Sequence, residues 1–175
     1  RADALTCVSR DMVSHYRMIF KNPPHICVYN IIKDEPSVKL SQEAVEHRWV
    51  NEDNVRLIIS AGTLTKRKGF VDLIRSIGII GNKIPVRLII FGDGYLRENL
   101  MSLADSLGLS DKISLPGRVA NPLKYFANAD VFVLSSYAEG MPNVLVEAMM
   151  CGCTPVSTDC PTGPSELLQG GKYGY

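Results

Sequence analysis

Residues 55–80 read VRLIISAGTLTKRKGFVDLIRSIGII, and the period of the apolar side chains changes partway along. VRLIISAG (55–62) is a continuous β-branched run closed by glycine, which predicts a strand buried on both faces. FVDLIRSIGII (70–80) places its apolar residues at helical spacing instead. The unit then repeats. PVRLIIFG (85–92) precedes YLRENLMSLADSLG (95–108), whose leucines and Met101 form a stripe and whose Gly108 suits a C-terminal cap. KISLPG (112–117) reads as a short strand, NPLKYFANA (121–129) as a short helix and DVFVLSS (130–136) as a third apolar strand. A helix follows from near Pro142 to near Gly152, then a strand in TPVSTD (154–159) and a last helix opening at PSELL (164–168). Strands apolar on both faces and separated by helices predict an α/β fold with a parallel sheet covered on both sides.

Outward from this unit the pattern differs. The first residues give a strand ALTCVS (4–9), a helix from Arg10 to about Phe20 and a strand HICVYN (25–30). The polar stretch between Lys33 and Asn54 reads as a linker or exposed helix, which predicts a boundary. At the other end LLQGGKYGY (167–175) stops after a Gly-rich turn where another strand is expected, so the chain reads as cut from a longer protein.

Composition narrows the function. The 175 residues are 46% hydrophobic and 21% charged, enough to bury a substantial core. The 19 basic and 18 acidic residues balance to +1 without a basic block, so no broad footprint for a nucleic-acid backbone is indicated. Apolar runs such as VRLIIFG (86–92) are too short to cross a bilayer, and RADALTCVSRD lacks the pattern of a signal peptide. Five cysteines, an odd count at irregular spacings, argue against a disulfide framework and for a reducing compartment. Cys151 and Cys153 form C-x-C rather than C-x-x-C with no histidine near in sequence, so no metal site is expected there.

In an open parallel sheet ligands bind beyond the carboxyl ends of the strands. Three loops fall there: GTLTKRKGF (62–70), FGDGYL (91–96) and AEGMPN (138–143). FGDGYL begins like a dinucleotide fingerprint with Gly92 and Gly94, but Arg97 stands where the third glycine belongs. It reads first as a tight strand-to-helix turn, with a supporting backbone contact to a ligand as the other reading. GTLTKRKGF puts Lys66, Arg67 and Lys68 just before a helix N-terminus, either as a solvated basic turn or as a clamp on a phosphate or diphosphate with Lys68 best placed. EGMPNVLVE (139–147) sets two carboxylates eight residues apart. Pro142 suits the first helical turn, and Gly140 lets backbone approach a ligand closely, with the amides of Gly140, Met141 and Asn143 free for hydroxyl or phosphate oxygens. Val144, Leu145, Ala148 and Met149 form the apolar face of that helix with Glu147 at its edge. A carboxylate bordering a core is costly unless hydrogen-bonded, and a vicinal diol offers it two donors.

These motifs together resemble the retaining glycosyltransferases of family 4, the group 1 glycosyl transferases. EGMPNVLVE followed by AMMCGCTPVSTD is similar to their E-x7-E signature, VYNIIKDE to their interdomain crossover, GTLTKRKGF to their phosphate-binding loop, and FGDGYL and SLPGRV to their nucleotide loops. The resemblance implies a GT-B fold, with residues 1–34 a strand-helix-strand remnant of the acceptor domain, 35–54 a linker or exposed segment, and 55–175 most of a Rossmann-like nucleotide-sugar-binding domain. It implies that Glu147 binds the ribose hydroxyls of a nucleotide sugar. Glu139 and the segment Gly140, Met141, Pro142, Asn143 and Val144 would hold the sugar, Lys68 would neutralise the departing diphosphate with Gly62 beside it, and Gly117, Arg118 and Val119 would face the base.

One departure stands out. The family usually has arginine after the first glycine of its phosphate loop, where this chain has Thr63; either Arg67 or Lys66 supplies the second positive charge, or the diphosphate is held less tightly. No D-x-D pair follows a strand, so neither a metal nor another cofactor is expected. The implied activity is hexose transfer from a nucleotide diphosphate sugar, a UDP-sugar favoured, to a glycan or lipid-linked acceptor hydroxyl with retention, in bacterial polysaccharide or lipid-linked glycan synthesis. The implied location is cytoplasmic, peripheral at the inner face of the plasma membrane, with the isolated chain inactive for want of the upstream acceptor site. A sugar-nucleotide epimerase of the same fold and a non-catalytic nucleotide-sugar-binding subunit are the alternatives.

Overall fold

The computed structural model describes residues 2–32 and 35–175, with the backbone alone at Glu35 and Pro36. Five parallel strands form the main sheet: β3 (Arg56–Ala61), β4 (Val86–Phe91), β5 (Ile113–Gly117), β6 (Val131–Leu134) and β7 (Thr154–Ser157), in the spatial order β5-β4-β3-β6-β7. The helices between them are α3 (Phe70–Ile80), α4 (Arg97–Ser106), α5 (Leu123–Phe126), α6 (Asn143–Met150) and α7 (Pro164–Leu168). A smaller parallel sheet pairs β1 (Leu5–Cys7) with β2 (His25–Cys27) around α1 (Arg10–Ile19), and α2 (Glu35–Ser41) follows.

The continuous apolar runs work as expected. Because successive strand residues face opposite ways, Ile58, Leu88 and Ile90 pack with Leu73, Ile77 and Leu100 under α3 and α4, while Ile59, Ile89 and Phe91 pack with Phe126, Leu145 and Ala148 under α5 and α6. Chain direction across the sheet reverses at β3. The path runs from β3 outward through β4 to β5, returns to β6 on the other side of β3, and continues to β7. The loops after β3 and β6 therefore diverge and leave a crevice at the switch point.

Several predicted boundaries contract. The strand expected over 25–30 ends at Cys27, after which Tyr29 and Asn30 leave the sheet and bond to the main body. The helix expected over 95–108 spans Arg97–Ser106, with Gly108 past its end at φ +66°, and the helix over 121–129 is one turn, Leu123–Phe126. Pro142 precedes α6 rather than occupying its first turn, because its ψ of 92° is extended. The predicted linker is more than an exposed segment. Trp49 is 5% exposed, packs in the core, and has the guanidinium groups of Arg48 and Arg87 at 5.0 and 5.6 Å from its ring centre, with Arg87 bound twice by Glu52 at 2.7 and 2.9 Å. Lys33 and Asp34, where that stretch begins, lie outside the described residues.

The N-terminus of α1 is closed by the fully buried Ser9, whose hydroxyl accepts from the Met12 amide at 3.2 Å. Ser9→Ala is expected to cost about 1 kcal/mol of stability, the usual value of such a cap, read from the urea-unfolding free energy.

Candidate functional site

The crevice between β3 and β6 is built by chain that can only run there. After Ala61 the backbone passes Gly62 and enters a 3-10 turn, Lys66–Lys68, closed by Gly69 at φ +64°. A Cβ at Gly69 would lie 1.9 Å from the Ser135 carbonyl oxygen, so glycine is required where the turn meets the end of β6. That end grips the turn directly: the Ser135 hydroxyl donates to the Lys68 carbonyl and the Tyr137 amide to the Arg67 carbonyl, both at 2.8 Å. From the other side Gly92 and Gly94 press on the same loop, since a Cβ at Gly92 would meet the Gly62 oxygen at 1.9 Å and one at Gly94 the Leu64 oxygen at 2.6 Å. FGDGYL is thus a tight turn packed against the backbone of Gly62 and Leu64.

A cleft of about 320 Å³ opens at this place, lined by Ala61, Gly62, Thr63, Arg67, Lys68, Glu139, Met141, Pro142, Asn143 and Val144. Lys68 is 9% exposed with its stem against Gly62, and its Nζ donates to Glu139 Oε1 at 2.5 Å. Ser136 Oγ donates to the same oxygen at 2.6 Å. Arg67 donates to Glu139 Oε2 at 3.2 Å and to the Ala138 carbonyl at 2.9 Å. Lys66 is exposed and outside this wall, so of the two basic residues weighed against Thr63 it is Arg67 that reaches the cleft.

The two carboxylates of E-x7-E stand in opposite environments. Burial raises the Glu139 carboxyl, but hydrogen bonds from Lys68 and Ser136 and the charges of Lys68 and Arg67 outweigh it and hold the group below its ordinary value. Glu147, one turn beyond Asn143 on α6 and thus about 6 Å further along the axis, is half-buried, and burial pushes its carboxyl up. Among the described residues no protein donor meets it.

Of the other predicted site residues, Gly140 sits behind the cleft, where its Cα faces Val8 and Met12 of the N-terminal unit. Gly92, Gly94, Gly117, Arg118, Val119 and Glu147 lie outside the cleft wall. Gly117 joins the FGDG turn through its carbonyl, which accepts from the Gly92 amide at 2.9 Å; Arg118 is exposed, and Val119 packs on the core that also holds Val144. Sequence reasoning missed Ser136 and Thr162, whose hydroxyl donates to the Glu139 carbonyl. The signal for Ser136 was available, because a hydroxyl ending a buried strand must find a partner. It also missed how the N-terminal unit is tied to the site: Asn30 bonds Asn143 at 2.7 Å, the Asp11 amide bonds Glu166 at 3.1 Å, and Tyr29 bonds Glu166. Among the described residues there is no group of three or more His, Cys, Asp or Glu that could hold a metal ion, and no helix is long and apolar enough to cross a membrane.

Comparison with known proteins bears on this arrangement. The family model described as Glycosyl transferases group 1 matches residues 41–175. An uncharacterized glycosyltransferase of Methanocaldococcus jannaschii is 38% identical over 89% of this chain and 38% of its own length. The N-acetylgalactosamine-N,N'-diacetylbacillosaminyl-diphospho-undecaprenol 4-alpha-N-acetylgalactosaminyltransferase of Campylobacter jejuni is 32% identical over 99% of this chain and 46% of its own length. Among solved structures, TarM of S. aureus, in a complex that contains UDP, superposes with a TM-score of 0.84 at 19% identity, covering 99% of this chain and 33% of that one. Anabaena HepE in complex with UDP and glucose superposes at 0.77 and 22% identity, covering 95% of this chain and 47% of that one. The chain thus spans less than half the length of these relatives.

Proposed function

The chain belongs to the group 1 glycosyl transferases and carries the helix-flanked parallel sheet of GT-B domains; from that premise we propose that it is the donor-binding part of a retaining, family 4 hexosyltransferase that uses a nucleotide diphosphate sugar, a UDP-sugar favoured. The observation that carries the proposal is the cleft at the switch point, where Lys68 and Arg67 converge on the same space as Glu139. A departing diphosphate needs preorganised cations, and a sugar needs acceptors for its hydroxyls; both kinds of group line one wall.

In this reading Lys68 takes the charge that develops on the diphosphate, and Arg67 supplies the second cation in place of the arginine that Thr63 replaces. Glu139 and the backbone from Gly140 to Asn143 orient the hexose, Glu147 holds the ribose diol, and Gly117, Arg118 and Val119 face the base. Residues 1–34 belong to the acceptor domain, with transfer completed by acceptor groups outside this chain. The acceptor is a glycan or lipid-linked hydroxyl met in the cytoplasm or at the inner face of the membrane, and the isolated chain does not transfer sugar by itself.

The test is calorimetric titration of the intact protein with UDP, GDP and ADP, with and without magnesium. Saturable, metal-independent binding of one of them is expected; no binding of any of them, or of their nucleotide sugars, by folded protein would overturn the donor assignment. The same titration has a pH signature. Because burial raises the Glu147 carboxyl and a ribose diol bonds the ionised form, nucleotide affinity is expected to fall as the pH is lowered into the range where that raised carboxyl takes up its proton, with a weaker fall in Glu147→Gln. Parallel curves for the two proteins would separate Glu147 from the ribose.

A further inference from the structure

The cations assigned to the diphosphate already hold an anion. Glu139 Oε1 takes Lys68 at 2.5 Å and Ser136 at 2.6 Å, while Oε2 takes Arg67 at 3.2 Å. The Glu139 and Lys68 side chains are only 7% and 11% exposed, so water does little to weaken the pair. We propose that Glu139 is an internal counter-anion that competes with a diphosphate for Lys68 and Arg67, so that the site favours the intact sugar nucleotide over the nucleoside diphosphate left after transfer. This rests on the donor reading above.

The argument is one of charge and donors. Lys68 has three N–H groups and Arg67 five, so both can turn part of their donor set to a phosphate without moving away. Glu139 cannot move as freely, because Ser136 holds Oε1 and Thr162 holds its backbone carbonyl. A diphosphate therefore enters beside a fixed carboxylate of like charge. In an intact donor the hexose hydroxyls donate to that carboxylate and make up for the share of the cations' charge now turned to the diphosphate. The free nucleoside diphosphate brings no such donors and meets the full repulsion. For unit charges about 6 Å apart, effective dielectric constants from about 80 down to about 20 make that repulsion a weakening of about 3- to 100-fold, with about tenfold in the middle of the range. Once the hexose leaves, the cleft loosens its hold on the product.

The test titrates the intact protein with UDP, GDP and ADP and with the matching nucleotide glucose. Relative to the native protein, Glu139→Gln is expected to bind the preferred free diphosphate about tenfold tighter and the glucose conjugate no tighter. Glu139→Ala, which removes the charge without adding an amide, is expected to show the same gain for the free diphosphate, and that gain is expected to shrink when Lys68→Ala is added. Equal or weaker binding of the free diphosphate by both folded Glu139 variants would overturn the proposal while leaving the donor reading intact. Failure of the native protein to bind any of the three diphosphates or any of the matching nucleotide glucoses would overturn the donor reading, and this inference with it.

Discussion

Lys68→Ala in the intact protein is expected to lower turnover by about 10²- to 10³-fold, the scale of removing one preorganised donor from a developing negative charge. The position of Lys68 supports so large an effect. Its backbone sits in a 3-10 turn fixed from β6 by Ser135 and Tyr137, its stem lies on Gly62, and its ammonium is held by Glu139, so the charge is in place before a donor arrives. Arg67, exposed over 53% of its side chain, is held less firmly and replaces little of what is lost. The loss belongs mainly in kcat, because the leaving diphosphate gains charge in the transition state that it lacks in the bound donor. The substitution also leaves Glu139 with Ser136 and Arg67 alone, and a partly unpaired buried carboxylate destabilises the fold. Turnover is therefore normalised to the folded fraction, measured by thermal unfolding with circular dichroism. Unchanged turnover in folded enzyme would remove Lys68 from the diphosphate site.

The parts of this site that were readable in the sequence are those set by neighbours along the chain. Doubly apolar runs such as LIISA and LIIF identified central parallel strands because five and four buried residues in succession, bounded by turn residues, suit a short strand covered on both faces. The carboxyl ends of those strands then located the three loops. What could not be read was decided across the sheet. Lys68 and Glu139 are 71 residues apart and meet because β6 lies beside β3, an order that no spacing encodes. The choice between Lys66 and Arg67 turned on a three-residue helical turn that sends consecutive side chains in different directions, which periodicity over so short a stretch does not resolve. Trp49 was hidden for a related reason. Apart from Val50 its neighbours in sequence are polar, yet the indole joins the core that holds Ile59 and Phe126, with two guanidinium groups near its ring.

Glu147→Gln in the intact protein is expected to weaken donor binding by about 1.5–3 kcal/mol, the range for a hydrogen bond to a charged group. Stability is what separates a binding role from a structural one here. A carboxyl whose folded pKa is raised takes up a proton more readily in the folded state than in the unfolded one, so its contribution is favourable in acid and is lost as the pH rises through that pKa. At neutral pH the ionised Glu147 is then a cost to the fold, with burial as the cause and no protein donor as compensation among the described residues. Removing the charge relieves that cost. The variant is therefore expected to unfold at a temperature no lower than the native protein at about pH 7, while binding the donor more weakly. A structural glutamate would behave the other way, losing stability and keeping affinity. Ribose and deoxyribose nucleotides supply the second readout: the native protein is expected to prefer ribose and the variant to lose most of that preference, since the diol would meet one neutral amide oxygen in place of an ionised carboxylate. Equal affinity for the two sugars in the native protein would contradict the assignment, and the half-buried charge on α6 would then need another ligand to explain it.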